Sequence, residues 1–149
     1  TQTWAGAWDF ISFSASSVNS ILDNVIVRYG GWYNQPFKSW AVKINSADVI
    51  ISNSLFENNL FAGLELENST TTIINTVFKD HRAKYNFDME DSKGIWVKNA
   101  TPVFTNTMFN NNYYGVYVES GECPDLTEVS FGEGGEANSV EVWPDGCQL

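Results

Sequence analysis

Residues 71–81 read TTIINTVFKDH. Nearly the same phrase stands at 49–59, VIISNSLFENN, and again at 102–112, PVFTNTMFNNN. Each carries apolar residues, then Asn with Ser or Thr, one more apolar residue, and Phe. A phrase that returns through a chain of 149 residues marks a structural unit used repeatedly.

Two columns organise the rest of the chain around that phrase. The first is an apolar-x-apolar strand: Ile11-Ser12-Phe13, Val42-Lys43-Ile44, Leu64-Glu65-Leu66, Ile95-Trp96-Val97, Val116-Tyr117-Val118 and Val140-Glu141-Val142. The second is the slot held by Asn24, Asn53, Asn75, Asn106 and then Glu128. From strand to slot the distance is 13, 11, 11, 11 and 12 residues, whereas the full period runs 31, 22, 31, 21 and 24. The extra residues therefore fall after the Phe, in two insertions at 28–40 and 79–94. A scaffold of constant length with insertions at one corner is how a solenoid accommodates loops.

Three short strands of period-two alternation within about 22 residues describe one turn of a parallel β-helix. Successive turns stack about 4.8 Å apart, so matching positions lie over one another. Val27, Phe56, Phe78, Phe109 and Phe131 are then an internal stack, and the Asn slot is an amide ladder at a tight bend. Both are scaffold.

This layout resembles the right-handed parallel β-helix superfamily, the pectin-lyase-like fold, and its short β-helix repeats. The segment WAGAWDFISFSASSVNSILDNVIVRYGG (4–31) is similar to the first coils of β-helix regions in large bacterial surface proteins. The resemblance implies a fold that hosts lyases, hydrolases, adhesins and binding modules alike. The calcium-binding Asp cluster and partnering Arg of the lyases match no particular residues in this chain.

Composition narrows the partners. The formal net charge is −10, and nucleic acid needs clustered Lys and Arg, so it is excluded as a partner. No apolar run approaches the roughly 20 residues of a membrane-spanning helix, so no membrane insertion is expected, and the first residues show no signal-peptide pattern. Aromatics make up 15% of the chain, a mixture that favours strands over helices.

Cys123 lies five residues after Val118, and Cys147 five after Val142, so both fall in one slot of adjacent coils. One rung of separation suits a disulfide, whose Cα atoms lie roughly 4.4–6.8 Å apart. A Cys123–Cys147 bridge is expected, and with it an oxidising, extracellular setting. Around Trp4 and Trp8 the other end reads as unfinished, as in a piece of a longer protein or one that docks on a neighbour.

Function is left to outward columns and inserted loops. The first outward column reads Ser12, Lys43, Glu65, Trp96, Tyr117, Glu141; the next reads Ser14, Asn45, Glu67, Lys98, Glu119, Trp143. Trp96 and Tyr117 are expected side by side as a flat, exposed ring pair, a surface suited to the apolar faces of sugar rings. The insertions bring Trp32, Tyr33, Phe37 and Trp40, and His81, Arg82, Tyr85 and Phe87. They either wall a groove beside the ring pair or fold over and shield it.

Other chemistry is weakly signalled. Glu65, Glu67 and Glu119 with Lys43 and Lys98 could supply acid and base groups, but alternating charges on neighbouring strands are ordinary cross-strand pairing. His81 is expected to be a surface residue and is assigned no metal. The acidic stretch FDMEDSKG (87–94) lacks ordered calcium-ligand spacing and reads as a solvated loop, with calcium as the alternative. Asn68-Ser69-Thr70 and Asn99-Ala100-Thr101 are glycosylation sequons that matter only in a glycosylating host.

The sequence thus predicts one all-β domain over 1–149, a right-handed parallel β-helix of about five to six coils. It is expected outside the cell, secreted or surface-displayed, as a module of a larger protein beside neighbouring domains. The expected function is non-catalytic binding of a polysaccharide or other glycan by Trp96, Tyr117, Lys43, Glu65, Trp32, Tyr33 and Tyr85, with no catalytic residue, metal or cofactor. The alternatives are a structural or adhesin segment, and a minimal polysaccharide lyase or glycoside hydrolase.

Overall fold

The computed structural model describes residues 6–31, 33–34, 37–38, 40–81, 92–144 and 147, with the backbone alone at 33–34 and 37–38. A first pass of the chain lays down β1 (Ile11–Phe13), β2 (Ser20–Asp23) and β3 (Ile26–Arg28). A small antiparallel hairpin follows, β4 (Tyr33–Asn34) and β5 (Phe37–Lys38). The next passes are β6 (Trp40–Asn45), β7 (Val49–Ser52), β8 (Leu55–Glu57), then β9 (Ala62–Glu67), β10 (Thr72–Ile74), β11 (Val77–Lys79). They continue with β12 (Lys93–Lys98), β13 (Val103–Thr105) and β14 (Thr107–Asn110), and end with β15 (Tyr114–Ser120), β16 (Val129–Phe131) and β17 (Val140–Trp143).

Each strand pairs with its counterpart one pass away. The result is a six-stranded sheet β1-β6-β9-β12-β15-β17, a four-stranded sheet β2-β7-β10-β13 and a five-stranded sheet β3-β8-β11-β14-β16. All three are parallel, and the chain visits them in the same order on each of the first four passes, the fifth going from β15 directly to β16. The protein is all-β, with a parallel-sheet architecture consistent with a β-helix.

Alternation along each strand sends one set of side chains inward. Val42, Leu64, Ile95, Val116 and Val142 are in register and almost fully buried. On the four-stranded sheet Ile51, Ile73 and Phe104 do the same, with the partly buried Leu22 in register at its edge. Val27, Phe56, Phe78, Phe109 and Phe131 form the expected column. The Phe56, Phe78, Phe109 and Phe131 rings stack at centroid spacings of 4.8, 5.1 and 6.0 Å.

The bend between the four- and five-stranded sheets is the asparagine slot. Asn24, Asn53, Asn75 and Asn106 have φ of 54, 50, 48 and 44°, the left-handed region that Asn tolerates best among residues with a Cβ. The Asn106 amide donates to Asn75 at 2.9 Å and Asn75 to Asn53 at 3.1 Å. Asn53 departs from the expected pattern, donating to Asp23 at 2.9 Å instead of Asn24. Hydrogen bonds from Ser52 and Asn53 hold the Asp23 carboxyl below its ordinary pKa.

A second, buried ladder lines the bend between the five- and six-stranded sheets. Asn59 Oδ1 accepts from Gly30 N (2.9 Å), Asn112 Oδ1 from His81 N (3.1 Å) and Asn138 Oδ1 from Asn112 N (2.9 Å). Asn59, Asn112 and Asn138 also donate to the carbonyls of Val27, Phe78 and Phe109. His81 occupies this column, which corrects its expected surface position: it is fully buried, and its Nδ1 accepts from Asn59 N at 3.2 Å. It packs against Gly63, where any Cβ would collide with the imidazole.

That ladder explains a second correction. The last strand was expected to place Val140 under Val116 and Glu141 under Tyr117. Instead Val116 pairs with Val142 and Tyr117 with Trp143. Asn138 bonds beneath Asn112, and each lies four residues ahead of its inward valine, so the corner sets the register.

The Cys123–Cys147 disulfide is present, with a Cα–Cα distance of 5.3 Å. A further departure precedes it: Val97 pairs with Val118 but Lys98 with Ser120, so Glu119 is bulged out of the ladder. At the other end Trp8 packs partly buried on the core and donates from Nε1 to Arg28 O at 2.8 Å. Trp4 lies outside the described residues. Ile11, whose column partners are buried, is 42% exposed on the first strand. Among the described residues no helix is long and apolar enough to cross a membrane.

Candidate functional site

The outer face of the six-stranded sheet gathers most of the residues singled out from sequence. Its register runs Ser12, Lys43, Glu65, Trp96, Tyr117, Trp143 on successive strands. Beside it runs Asn45, Glu67, Lys98, Ser120, with Trp143 moved to the first column by the shift described above. Trp40, Ala62, Lys93, Tyr114 and Val140 form a third row, two residues ahead of the inward aliphatic anchors.

The charged groups are paired with each other. Glu65 is fully buried, with its carboxylate between Lys43 Nζ at 2.9 Å and Lys98 Nζ at 3.4 Å. Lys43 also meets Glu67 at 2.8 Å, and Lys98 meets Glu119 at 3.8 Å. Burial alone would lower the Lys43 pKa, but the bonds from Glu67 and Glu65 outweigh it, and the net shift is upward. The hydrogen bond from Lys43 holds Glu67 below its usual value against a smaller opposing effect of burial. A buried carboxylate is costly unless compensated, and here two ammonium groups compensate one. The carboxylates of this face are thus cross-strand partners of lysines.

The aromatic rings touch in sequence along the stack. Phe10 lies 6.4 Å from Trp40, Trp40 6.1 Å from Trp96, and Trp96 6.2 Å from Tyr117. Tyr117 lies 5.0 Å from Tyr114, and Tyr114 6.4 Å from Trp143. Trp96 and Tyr117 are neighbours as expected, but they are not a flat pair. Their planes meet at 89°, and both are half-buried. Edge-to-face packing suits the ring quadrupoles. Lys98 Nζ, 3.9 Å from the Trp96 centroid, and Lys93 Nζ at 4.8 Å add cation–π attraction. The bulge at Glu119 brings its carboxylate to Trp96 Nε1 at 2.6 Å, fixing the indole further.

Three residues of this face escaped the sequence reading: Lys93, Tyr114 and, as a strand residue, Trp40. Lys93 is 5% exposed, and its ammonium lies 4.8 Å from both the Trp96 and Tyr117 rings. Strict alternation from Ile95 and Val116 would send Lys93 and Tyr114 inward. Between them and the anchors, however, stand Gly94 and Gly115, where the backbone pairing is interrupted. A Cβ on Gly94 would sit 2.7 Å from both Gly115 O and the Phe109 ring. The recurring small-aliphatic pairs Ala41-Val42, Gly63-Leu64, Gly94-Ile95 and Gly115-Val116 were the available signal.

Trp32 and Tyr85 lie outside the described residues, as does the side chain of Tyr33; of the two insertions, Trp40 and Lys93 stand on this face as strand residues. Among the described residues no cluster of three or more His, Cys, Asp or Glu is arranged to hold a metal ion. A separate shallow depression of about 470 Å³ lies on the five-stranded sheet, lined by Leu55, Val77, Met108 and polar neighbours. Its rim is already engaged: Lys79 pairs with Glu57 at 3.5 Å and Asp80 accepts from Asn111 at 2.6 Å.

No protein-family model, curated protein or solved structure matches this chain.

Proposed function

We propose that this chain is a non-catalytic glycan-binding module, and that the outer face of its six-stranded sheet receives an extended sugar chain. The observation that carries the reading is the unbroken run of aromatic contacts from Phe10 to Trp143 on one face. Core packing accounts for none of these rings, and pyranose C–H groups are natural partners for aromatic surfaces. Because the rings meet edge to face, the sugars contact separate ring faces and edges in turn. Asn45, Ser12 and Ser120 border the run with neutral hydrogen-bonding groups.

The same proposal places the module in the right-handed parallel β-helix superfamily. Crossovers between parallel strands of one sheet are right-handed in nearly all cases, and the single-domain repeat layout fits. It also places the chain outside the cell, because disulfides form and persist chiefly in oxidising compartments.

Calorimetry or affinity electrophoresis against plant and bacterial polysaccharides tests the binding. Trp96→Ala and Tyr117→Ala are expected to weaken it, and binding unchanged in both would remove this face from consideration.

One observation favours a second reading, a structural or adhesive segment. Glu65 and Lys93 are buried and the Trp96 ring is flanked by its own lysines, so the lysines of this face among the described residues are engaged within the protein. A folded chain that binds no glycan would favour that reading. The carboxylates of the face are bound by lysines, and no acid–base pair for a lyase or hydrolase is assigned to them.

A further inference from the structure

We infer that the glycan taken by this face is electrically neutral, an inference that rests on the glycan-binding reading above. Polyanionic chains, whether uronates or sulfated sugars, are held by ammonium or guanidinium groups that can turn toward them. Among the described residues, the lysines of this face are not available in that way. Lys43 bridges Glu65 and Glu67 at 2.9 and 2.8 Å, and Lys98 lies between Glu65 and Glu119 at 3.4 and 3.8 Å.

Glu65 makes this arrangement hard to reverse. Its side chain is fully buried, so it cannot follow a departing ammonium into water. Drawing Lys43 or Lys98 toward a bound anion would leave a buried carboxylate short of compensation, which is strongly unfavourable. Lys98 is also held 3.9 Å over the Trp96 ring. Lys93 is only 5% exposed, with its ammonium against the rings of Trp96 and Tyr117, and is not presented to solvent.

The wider field acts in the same direction. A net charge of −10 repels a polyanion on approach, an effect that decays over a Debye length of roughly 8 Å at physiological ionic strength. Beyond these ion pairs, the described residues of the face offer ring surface on the half-buried Tyr117 and the 43%-exposed Trp143, with the exposed Ser120 hydroxyl on the Tyr117 strand. Those groups match the C–H faces and hydroxyls of neutral pyranoses.

The test is calorimetry of the whole chain with neutral glycans (a xylan, a mannan, a β-glucan) and anionic ones (polygalacturonate, alginate, a sulfated galactan), at low and high salt. The expected result is binding to a neutral glycan that changes by less than about twofold with salt, and none to the anionic set. Tighter, salt-sensitive binding of an anionic glycan overturns the inference and leaves the glycan-binding reading standing. Binding to neither set overturns both.

A Glu65→Gln/Glu67→Gln variant frees Lys43 of both its carboxylates and leaves Lys98 with Glu119 alone. It is expected to gain salt-sensitive polygalacturonate binding of about tenfold or more over the parent chain. A variant with the parent's circular dichroism and no such gain would show that charge is not what excludes the polyanion, and would overturn the inference.

Discussion

His81 Nδ1 accepts the backbone N–H of Asn59 at 3.2 Å, filling the acceptor role that asparagine oxygens fill elsewhere at the same corner. The donor half of the role is missing. Asn59, Asn112 and Asn138 each donate an amide N–H to a main-chain carbonyl, whereas His81 Nε2 is buried with no partner.

His81→Asn should therefore stabilise the protein. A restored amide donor adds about 1 kcal/mol, and removal of a buried unsatisfied N–H adds to it. Urea denaturation of both chains measures the difference. A midpoint lower in the variant would show that the imidazole fills space the amide cannot.

His81 also imposes a pH dependence. Burial lowers its pKa from 6.5 to about 3. Between those values the unfolded chain binds a proton that the native state refuses, so stability is full above the unfolded pKa and falls as pH drops toward 3. The slope approaches about 1.4 kcal/mol per pH unit from this group alone. Denaturation midpoints across that range should fall less steeply in His81→Asn, and parallel curves would contradict the assignment.

Lys43→Ala leaves Glu65 facing only Lys98. Breaking a buried pair costs about 3–5 kcal/mol, and the remaining ammonium reduces this to about 2–3 kcal/mol. Replacing both partners, as Lys43→Ala/Glu65→Leu, should recover part of the loss because no buried charge remains. Chemical denaturation of the three chains checks the order, and a double variant less stable than the single one would refute it.

Cys123 and Cys147 are 24 residues apart in sequence, and their bridge limits the unfolded chain to a closed loop. Replacing both with Ser should cost about 3 kcal/mol. Alkylation after denaturation without reductant should leave both cysteines of the parent chain unmodified, and thermal unfolding measures the loss in the variant.

The repeat could be read without coordinates because stacking places identical demands on every pass. Phe56, Phe78 and Phe109 must fill the same interior slot, and Asn53, Asn75 and Asn106 the same left-handed bend. The cysteine pairing was also legible, although its spacing was counted from Val118 and Val142, which turn out not to be partners. The buried corner ladder was less visible. In two passes the signal is an Asn three residues after the Phe, but His81 stands there in a third, and Asn138 follows Phe131 only after an insertion.

Periodicity by itself determined the strands, their parallel stacking and, apart from Val140 on the last strand, which aliphatic residues face inward, because those follow from which positions recur. Only the tertiary structure decided what the outward residues do. The burial of Glu65 between two lysines, the right angle between Trp96 and Tyr117, and the register that brings Trp143 beside Tyr117 depend on contacts between passes. Those contacts are set by a bulge at Glu119, glycine breaks in the alternation and the Asn138 corner bond. None of these has a fixed sequence spacing, since each is the outcome of packing between neighbours far apart along the chain.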